Sequence, residues 1–124
     1  MENREYHETL AIRDRLRCRL EAQRLLFDQE VERLIERAVS MGVQKIILFG
    51  SMVHARPRLT SDVDLLIIWE TPLSFLERTV EMYRRLQPRI PADLLIYTPE
   101  EMKKMGSNFL VKRALSEGKV LYEA

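Results

Sequence analysis

The sequence predicts an α/β (α+β) protein, in which a small mixed β-sheet carries packed helices and a long helical segment comes first. Residues 5–41 contain neither Gly nor Pro and are rich in helix-forming residues. Nearly continuous apolar runs follow at 45–50, 62–69 and 93–97, as expected of buried strands. Apolar residues recur at helical spacing between and after these runs. Helices and strands therefore alternate along most of the chain.

Length and composition indicate one small domain. The 124 residues are 46% hydrophobic and 31% charged, which is enough apolar material for a modest core. Twenty basic and nineteen acidic residues leave a net charge of +1, so we do not expect direct nucleic-acid binding. Cys18 is the single cysteine and cannot form an internal disulfide. With no signal peptide and no apolar run of roughly 18 residues, we expect a cytoplasmic protein with no membrane segment.

The N-terminal helical region divides into two parts with different apolar faces. We expect one long helix or two, with a break near Phe27 and Asp28, where Asp28 can act as an N-cap. This division predicts an N-terminal helical extension at 1–27 and a folded domain at 28–124. Apolar residues of the second part share one face and predict a helix that packs on the sheet and ends at Gly42. They are Val31, Leu34, Ile35, Ala38 and Val39.

The first part of this region carries a thin apolar stripe among arginines. The stripe consists of Ile12, Leu16, Leu20 and Phe27. The arginines on the other faces are Arg13, Arg15, Arg17, Arg19 and Arg24. So narrow a stripe suits a helix hairpin, a coiled pair in a homo-oligomer, or the groove of a partner protein. A solvated helix lying across its own domain is the alternative, and RNA binding lacks interleaved aromatic residues for base stacking.

Helix start signals place a crossover helix after the second strand. Thr71 and Pro72 predict an N-cap followed by a first-turn proline. Apolar residues then recur at helical spacing and predict the buried face of this helix. They are Leu76, Val80, Tyr83 and Leu86.

Two more helices and a strand are predicted near the C-terminus. Thr98 and Glu101 form a capping-box pattern, which opens a helix past Met102 and Met105. A last helix near 108–117 is expected to end at Gly118, before a strand at 119–122. Its expected inward residues are Phe109, Leu110, Ala114 and Leu115.

The predicted strands bring acidic residues to one edge of the sheet. Alternate side chains of a strand share a face, so Asp62 and Asp64 point the same way, roughly 6 to 7 Å apart. A strand, helix, strand connection of this length most often gives parallel neighbours, which places Asp93 at the same edge. The strand at 45–50 can run antiparallel and deliver Ser51 there. The sequence therefore predicts a cluster of three carboxylates beside a turn.

These residue types favour a metal site beside a phosphate site. Carboxylates held this close repel unless a cation lies between them, and hard oxygen ligands suit Mg²⁺ that also contacts substrate phosphates. Gly50 allows a close approach of the backbone, and Ser51 offers a hydroxyl and an amide to a phosphate oxygen. Taken singly, Asp-x-Asp also fits strand-edge solvation or turn capping, and Gly-Ser a plain turn. Arg56 and Arg58 could supply phosphate-directed charge or could be solvated loop residues.

Gly50-Ser51, ten further residues, Asp62-x-Asp64 and then Asp93 resemble the motif of the minimal nucleotidyltransferases of the DNA polymerase β superfamily. The resemblance covers roughly residues 30–123. It implies the nucleotidyltransferase fold, with Asp62 and Asp64 holding two Mg²⁺ ions. It also implies that Asp93 is the third carboxylate, which accepts the acceptor's proton, and that Gly50 and Ser51 hold the triphosphate of ATP. Where members often have a small-Arg-Gly run, this chain has Val53-His54-Ala55.

The resemblance also implies an activity and a partner. Small members frequently act as antitoxins in toxin–antitoxin systems, where they transfer AMP from ATP onto a helical HEPN-type ribonuclease. Larger members carry an added domain that grips the acceptor, so we expect another protein to present the acceptor hydroxyl here. Residues 5–27 are the predicted docking helix. The alternative is a catalytically weak subunit that neutralises its partner sterically, which the departure at Val53-His54-Ala55 favours.

Overall fold

Over the described residues, the chain forms four helices and a four-stranded sheet. This computed structural model describes residues 2–50, 62–106 and 108–124. The elements in chain order are α1 (Glu2–Ser40), β1 (Lys45–Phe49), β2 (Val63–Ile68), α2 (Phe75–Leu86), β3 (Ala92–Tyr97), α3 (Pro99–Lys104), α4 (Phe109–Glu117) and β4 (Lys119–Glu123).

The sheet mixes parallel and antiparallel neighbours in the order β3-β2-β1-β4. β1 runs antiparallel to both β2 and β4, whereas β2 and β3 are parallel. The α2 crossover between β2 and β3 accounts for their parallel direction, because a connection of this length returns the chain to the same end of the sheet. The antiparallel and parallel pairings predicted from the sequence are both confirmed.

The main core lies between one face of the sheet and helices α1 and α2. From α1 it takes Val31, Leu34 and Ala38, buried as the helical spacing predicted, together with Phe27 of the thin stripe. Alternate residues of the strands face them, which follows from the two-residue period of a strand. A smaller cluster on the opposite face contains Ile47, Leu66 and Ala114. Each fully buried leucine or isoleucine contributes about 1.5–3 kcal/mol, so the layer under α1 is the larger source of stability.

Helix α1 is continuous, and the predicted break near Asp28 is wrong. The helix runs over 39 residues from Glu2 to Ser40, which corresponds to a length of about 58 Å. Asp28 is exposed within the helix rather than capping a second one. An aspartate inside a helix costs less than about 1 kcal/mol relative to alanine, and the burial of Phe27 and Val31 on either side outweighs it.

The N-terminal half of α1 is exposed along most of its described length. Leu16 is 48% exposed and Ile12 is 57% exposed, whereas Leu20 is half-buried. The stripe predicted from these residues joins the core only at Phe27. Within the part of the chain that the structure describes, no helix combines the length and the apolar character needed to cross a membrane.

Polar side chains of α1 fix the turn that leads into β3. The buried Glu30 carboxylate accepts hydrogen bonds from Arg33 and from the main-chain amide of Arg89. Arg33 also donates to the carbonyl oxygens of Leu86 and Gln87, at 3.1 and 2.8 Å. These carbonyls belong to the end of α2, where helical acceptors lack intrahelical partners. The Arg33 hydrogen bond holds the pKa of Glu30 below its ordinary value.

Helix α2 starts later than predicted, and its buried face matches the predicted one only in part. Its N-cap is Ser74, whose hydroxyl accepts from the Glu77 amide at 3.3 Å. Thr71, the predicted cap, instead closes a turn by accepting from the Leu73 amide. Of the four predicted inward residues, Leu86 is buried and Tyr83 is half-buried, whereas Leu76 and Val80 are 71% and 58% exposed. The other buried residues of α2 are Arg78 and Met82.

The two C-terminal helices lie where the sequence predicted them, but some residues predicted to face inward are exposed. The capping box of Thr98 and Glu101 is present at the start of α3, as predicted. In α4, Val111 and Ala114 are buried, but Phe109 is 77% exposed and Leu115 is 46% exposed, so both inward predictions are wrong. The side chain of Leu110 lies outside the described part of the chain. This helix has two turns, too few for its apolar spacing to define one face.

A buried arginine connects α2 to the capping box of α3. Arg78 is 4% exposed, and its guanidinium donates to both Glu101 carboxylate oxygens, at 2.5 and 2.9 Å. Glu101 also accepts from the Thr98 amide. The hydrogen bond from Arg78 and the contact with Thr98 lower the pKa of Glu101 to about 2. One carboxylate thus neutralises a buried cation and fixes the chain just beyond β3.

Glu101→Gln is expected to lower the free energy of unfolding at pH 7 by about 1–3 kcal/mol, because it leaves the Arg78 charge buried without a carboxylate. Because the folded pKa lies below the ordinary 4.5, this contribution is present above pH 4.5 and is lost as pH falls toward about 2. Urea unfolding measures the change. The matched control Glu100→Gln removes an exposed pair with Lys104 and should change the free energy of unfolding by less than about 0.5 kcal/mol. Equal effects of the two variants would contradict the buried ion pair.

Candidate functional site

Two aspartates lie side by side where the parallel strands begin. The register of β2 and β3 places Asp64 directly beside Asp93. Neighbouring strands are about 4.8 Å apart, so carboxyl groups on the same face of such a pair come into contact. The two side chains are close enough for Asp93 to raise the pKa of Asp64. The pairing of the two strands therefore creates an acidic pair.

The surroundings of Asp64 favour its neutral form. Burial, the hydrogen bond to Asp93 and the charges of Asp93 and Asp62 together raise the pKa of Asp64 to about 6. Burial is the largest cause, since a half-buried carboxylate loses part of its hydration. A positive ion placed between the carboxylates would instead favour the ionised form of Asp64 and lower its pKa.

Asp62 takes a different position from the other two aspartates. It precedes β2 instead of lying within a strand, is exposed as Asp93 is, and influences Asp64 through its charge. Among the residues that the structure describes, no three His, Cys, Asp or Glu side chains are grouped closely enough to hold a metal ion. The donor chemistry nevertheless fits a hard cation such as Mg²⁺, because the carboxylate of the half-buried Asp64 lies beside that of the exposed Asp93.

Gly50 ends β1 directly against this acidic pair. Its φ of +82° lies in the left-handed region, which favours glycine. A Cβ atom at this position would overlap the Asp64 carboxylate. The antiparallel register explains the closeness, because Phe49 pairs with Asp64. Any other residue at position 50 would displace the Asp64 side chain or the end of β1.

A cavity of about 280 Å³ opens beside the aspartates. The residues that line it are Phe49, Asp64, Tyr83, Asp93, Leu94 and Leu95. It combines an apolar wall with two acidic groups, the composition of a small-molecule site. Sequence analysis missed Phe49 and Tyr83 as site residues. Phe49 adjoins Gly50 and could have been included on that ground, whereas Tyr83 looked like any other apolar position of a helix.

The remaining predicted site residues fall on a segment that the structure does not describe. Ser51, Arg56 and Arg58 lie outside the described residues, as does Val53-His54-Ala55. Their predicted roles in holding a triphosphate stay predictions. Of the predicted site residues that are described, the structure brings together Gly50, Asp64 and Asp93, with Asp62 at their margin.

Comparison with known proteins agrees with this architecture. The family model described as polymerase beta, nucleotidyltransferase matches residues 29–124. No curated protein and no solved structure matches the chain. The matched residues contain the whole sheet, the acidic pair and the C-terminal part of α1 from residue 29 onward. The chain therefore belongs to the polymerase beta nucleotidyltransferase family, as its motif predicted.

Proposed function

We propose that this protein is a Mg²⁺-dependent transferase that moves AMP from ATP onto a hydroxyl group of a partner protein. The observation that carries the proposal is the contact between Asp64 and Asp93 beside a cavity, with Gly50 closing against them. Membership of the nucleotidyltransferase family supports nucleotidyl transfer in general. The choice of ATP and of a protein acceptor rests on the resemblance to minimal nucleotidyltransferases, and we place the activity in the cytoplasm.

Asp62, Asp64 and Asp93 are the proposed ligands of two Mg²⁺ ions. Asp64 and Asp93 already meet, and Asp62 lies close enough for its charge to raise the Asp64 pKa. Bound Mg²⁺ would neutralise charge on the triphosphate and on the departing pyrophosphate. Because metal ligands must be deprotonated, binding of the ions would displace the proton that Asp64 carries below its raised pKa.

The proposed reaction is an in-line displacement at the α-phosphate. The acceptor hydroxyl oxygen forms a bond to the α-phosphorus, and the bond from that phosphorus to the β-phosphate oxygen breaks. Pyrophosphate leaves, and the hydroxyl proton passes to the Asp93 carboxylate. Gly50, Ser51, Arg56 and Arg58 are the proposed contacts of the triphosphate. The half-buried position of Asp64 strengthens electrostatic interactions in the site, because fewer waters screen them.

The proposed partner is a helical HEPN-type protein. The N-terminal half of α1 would bind to its surface. A concave surface on this helix is lined by Arg13, Leu16, Arg17, Leu20, Glu21 and Arg24. None of its three arginines has an ion-pair partner among the described residues. Leucines flanked by arginines suit a partner surface that is apolar at its centre and acidic at its rim. A second copy of this chain is a less suitable partner, because antiparallel pairing of two such surfaces would bring their arginines together.

A second candidate function is that of a catalytically weak subunit that neutralises its partner by binding alone. Val53-His54-Ala55 in place of the usual small-Arg-Gly run supports this candidate, because that run belongs to the triphosphate loop. The exposed apolar and basic surface of α1 would serve both functions equally. Turnover therefore decides between them.

Asp64→Asn is expected to reduce AMP transfer by at least about 10³-fold, because an amide cannot replace a carboxylate at the proposed metal site. The measurement is label transfer from α-³²P-ATP with Mg²⁺ and the HEPN-type partner, followed by electrophoresis. The matched control Asp28→Asn changes an exposed carboxylate on α1 and should keep wild-type transfer. Retained turnover in Asp64→Asn would exclude the proposed site. A stable complex without label in the wild type would favour the binding subunit.

Binding of Mn²⁺, used as a spectroscopic substitute for Mg²⁺, is expected to weaken as pH falls below about 6. The Asp64 pKa is about 6 rather than 3.8, so protons compete with the metal in this range. The apparent affinity should fall by about tenfold per pH unit below 6, as titrations followed by electron paramagnetic resonance between pH 5 and 7.5 would show. In the metal-free protein the raised pKa contributes stability below pH 3.8 that is lost as pH rises through 6. Mn²⁺ should consequently raise the melting temperature more at pH 7.5 than at pH 5, and a pH-independent affinity would contradict the assignment.

Reversing two charges on the concave surface of α1, with Arg13→Glu and Arg17→Glu together, is expected to weaken partner binding by about 100-fold, because attraction to an acidic rim becomes repulsion. The matched control is Arg15→Glu with Arg19→Glu, which makes the same charge change on exposed residues outside that surface. Surface plasmon resonance against the HEPN-type protein measures both. Equal losses of partner affinity in the two variants would show that only net charge matters and would contradict the proposed docking surface.

A further inference from the structure

Tyr83 links the crossover helix to the strand that carries Asp93. It is half-buried on α2, and its ring packs against the main core. Its hydroxyl donates to the carbonyl oxygen of Ala92 at 2.8 Å and accepts from the amide of Leu94 at 3.0 Å. One phenol oxygen thus forms the two hydrogen bonds that a neighbouring strand would otherwise form with β3.

These two hydrogen bonds bracket Asp93. β3 lies at an edge of the sheet, where the outward amide and carbonyl groups have no strand partner. Ala92 and Leu94 are the residues on either side of Asp93, and Tyr83 holds both from the outer side. From the inner side, the parallel register holds Asp93 beside Asp64. The main chain at Asp93 is therefore fixed between a strand and a phenol.

We propose that Tyr83 is a positioning residue for Asp93, setting the separation between the two carboxylates that receive the metal. This inference rests on the proposed function and names a further residue of the same site. Tyr83 also lines the cavity beside the aspartates, together with Asp93 and Leu94. No other described side chain forms hydrogen bonds with the main chain of β3 on either side of Asp93.

The physical reason lies in the strictness of metal geometry. Mg²⁺ requires nearly ideal octahedral positions, so a shift of one carboxylate weakens binding without unfolding the protein. Mutation of a group that orients a metal ligand typically lowers metal affinity or activity by 10- to 100-fold. Without the hydroxyl, water would take over the edge groups of Ala92 and Leu94, and the strand between them would lose its fixed position.

The experiment compares Tyr83→Phe with Tyr97→Phe. Both changes remove one phenol oxygen from a half-buried tyrosine, and Tyr97 lies on β3 itself. Among the described residues, the Tyr97 hydroxyl has no hydrogen-bond partner; its ring contacts Phe75 at 5.9 Å between centroids. Mn²⁺ affinity is measured by electron paramagnetic resonance at pH 7.5, with the melting temperature recorded for each protein. Transfer rates at saturating ATP are measured with the same label assay.

Tyr83→Phe is expected to bind Mn²⁺ about tenfold more weakly and to lose a similar factor in kcat, whereas Tyr97→Phe stays within twofold of wild type. A merely structural Tyr83 would lower the melting temperature and leave Mn²⁺ affinity unchanged, and that result would overturn the inference. An equal loss of affinity in both variants would overturn it as well. Absence of Mn²⁺ binding in the wild type would instead overturn the proposed function, and the inference with it.

Discussion

The parallel, in-register pairing of β2 and β3 is the constraint on which the rest of the site depends. It places the half-buried Asp64 beside the exposed Asp93, where each negative charge disfavours the other. Burial and this repulsion together raise the pKa of Asp64 to about 6. The same repulsion makes the position receptive to a divalent cation. The acidic pair is thus a cost to the isolated fold that a bound ion would remove.

The elements around β3 hold it in place from three directions. Before the strand, Glu30 of α1 binds the turn that leads into it. Beside it, Tyr83 occupies the open edge at Asp93. Beyond it, Arg78 and Glu101 fix the capping box that follows. Since β3 is an edge strand with one neighbour, these side chains supply the restraint that a second neighbouring strand would otherwise give.

Much of the fold and part of the site followed from local patterns. The apolar runs located the strands, and the crossover length between β2 and β3 gave their direction, so the closeness of Asp64 and Asp93 was predictable. The orientation of the short helices was harder to predict. In α2, the buried face includes Arg78, a residue that no hydrophobic pattern selects. The Arg78 charge becomes tolerable only through Glu101, which is distant in sequence.

The break predicted in α1 illustrates a second limit. A capping residue such as Asp28 can start a helix but does not end the one before it, and nothing between Phe27 and Val31 interrupts the helical hydrogen bonds. Tyr83 illustrates a third. Its hydroxyl acts on main-chain atoms of another element, and a sequence contains no signal for such contacts. The positions that sequence patterns identify least well here are those whose polar atoms act across elements.

The contacts that hold the turn before β3 also bear on how this protein can vary during evolution. Arg33 donates to the main-chain carbonyls of Leu86 and Gln87, and Glu30 accepts from the main-chain amide of Arg89. Because all residue types but proline have an amide, the exposed side chain of Arg89 can vary with little effect on these bonds. Gln87 ends α2 with a φ of +44°, so variation there favours residues that tolerate the left-handed region. Positions 30 and 33 lack that freedom. In homologues we expect the glutamate and the arginine to persist while the turn that they hold diverges.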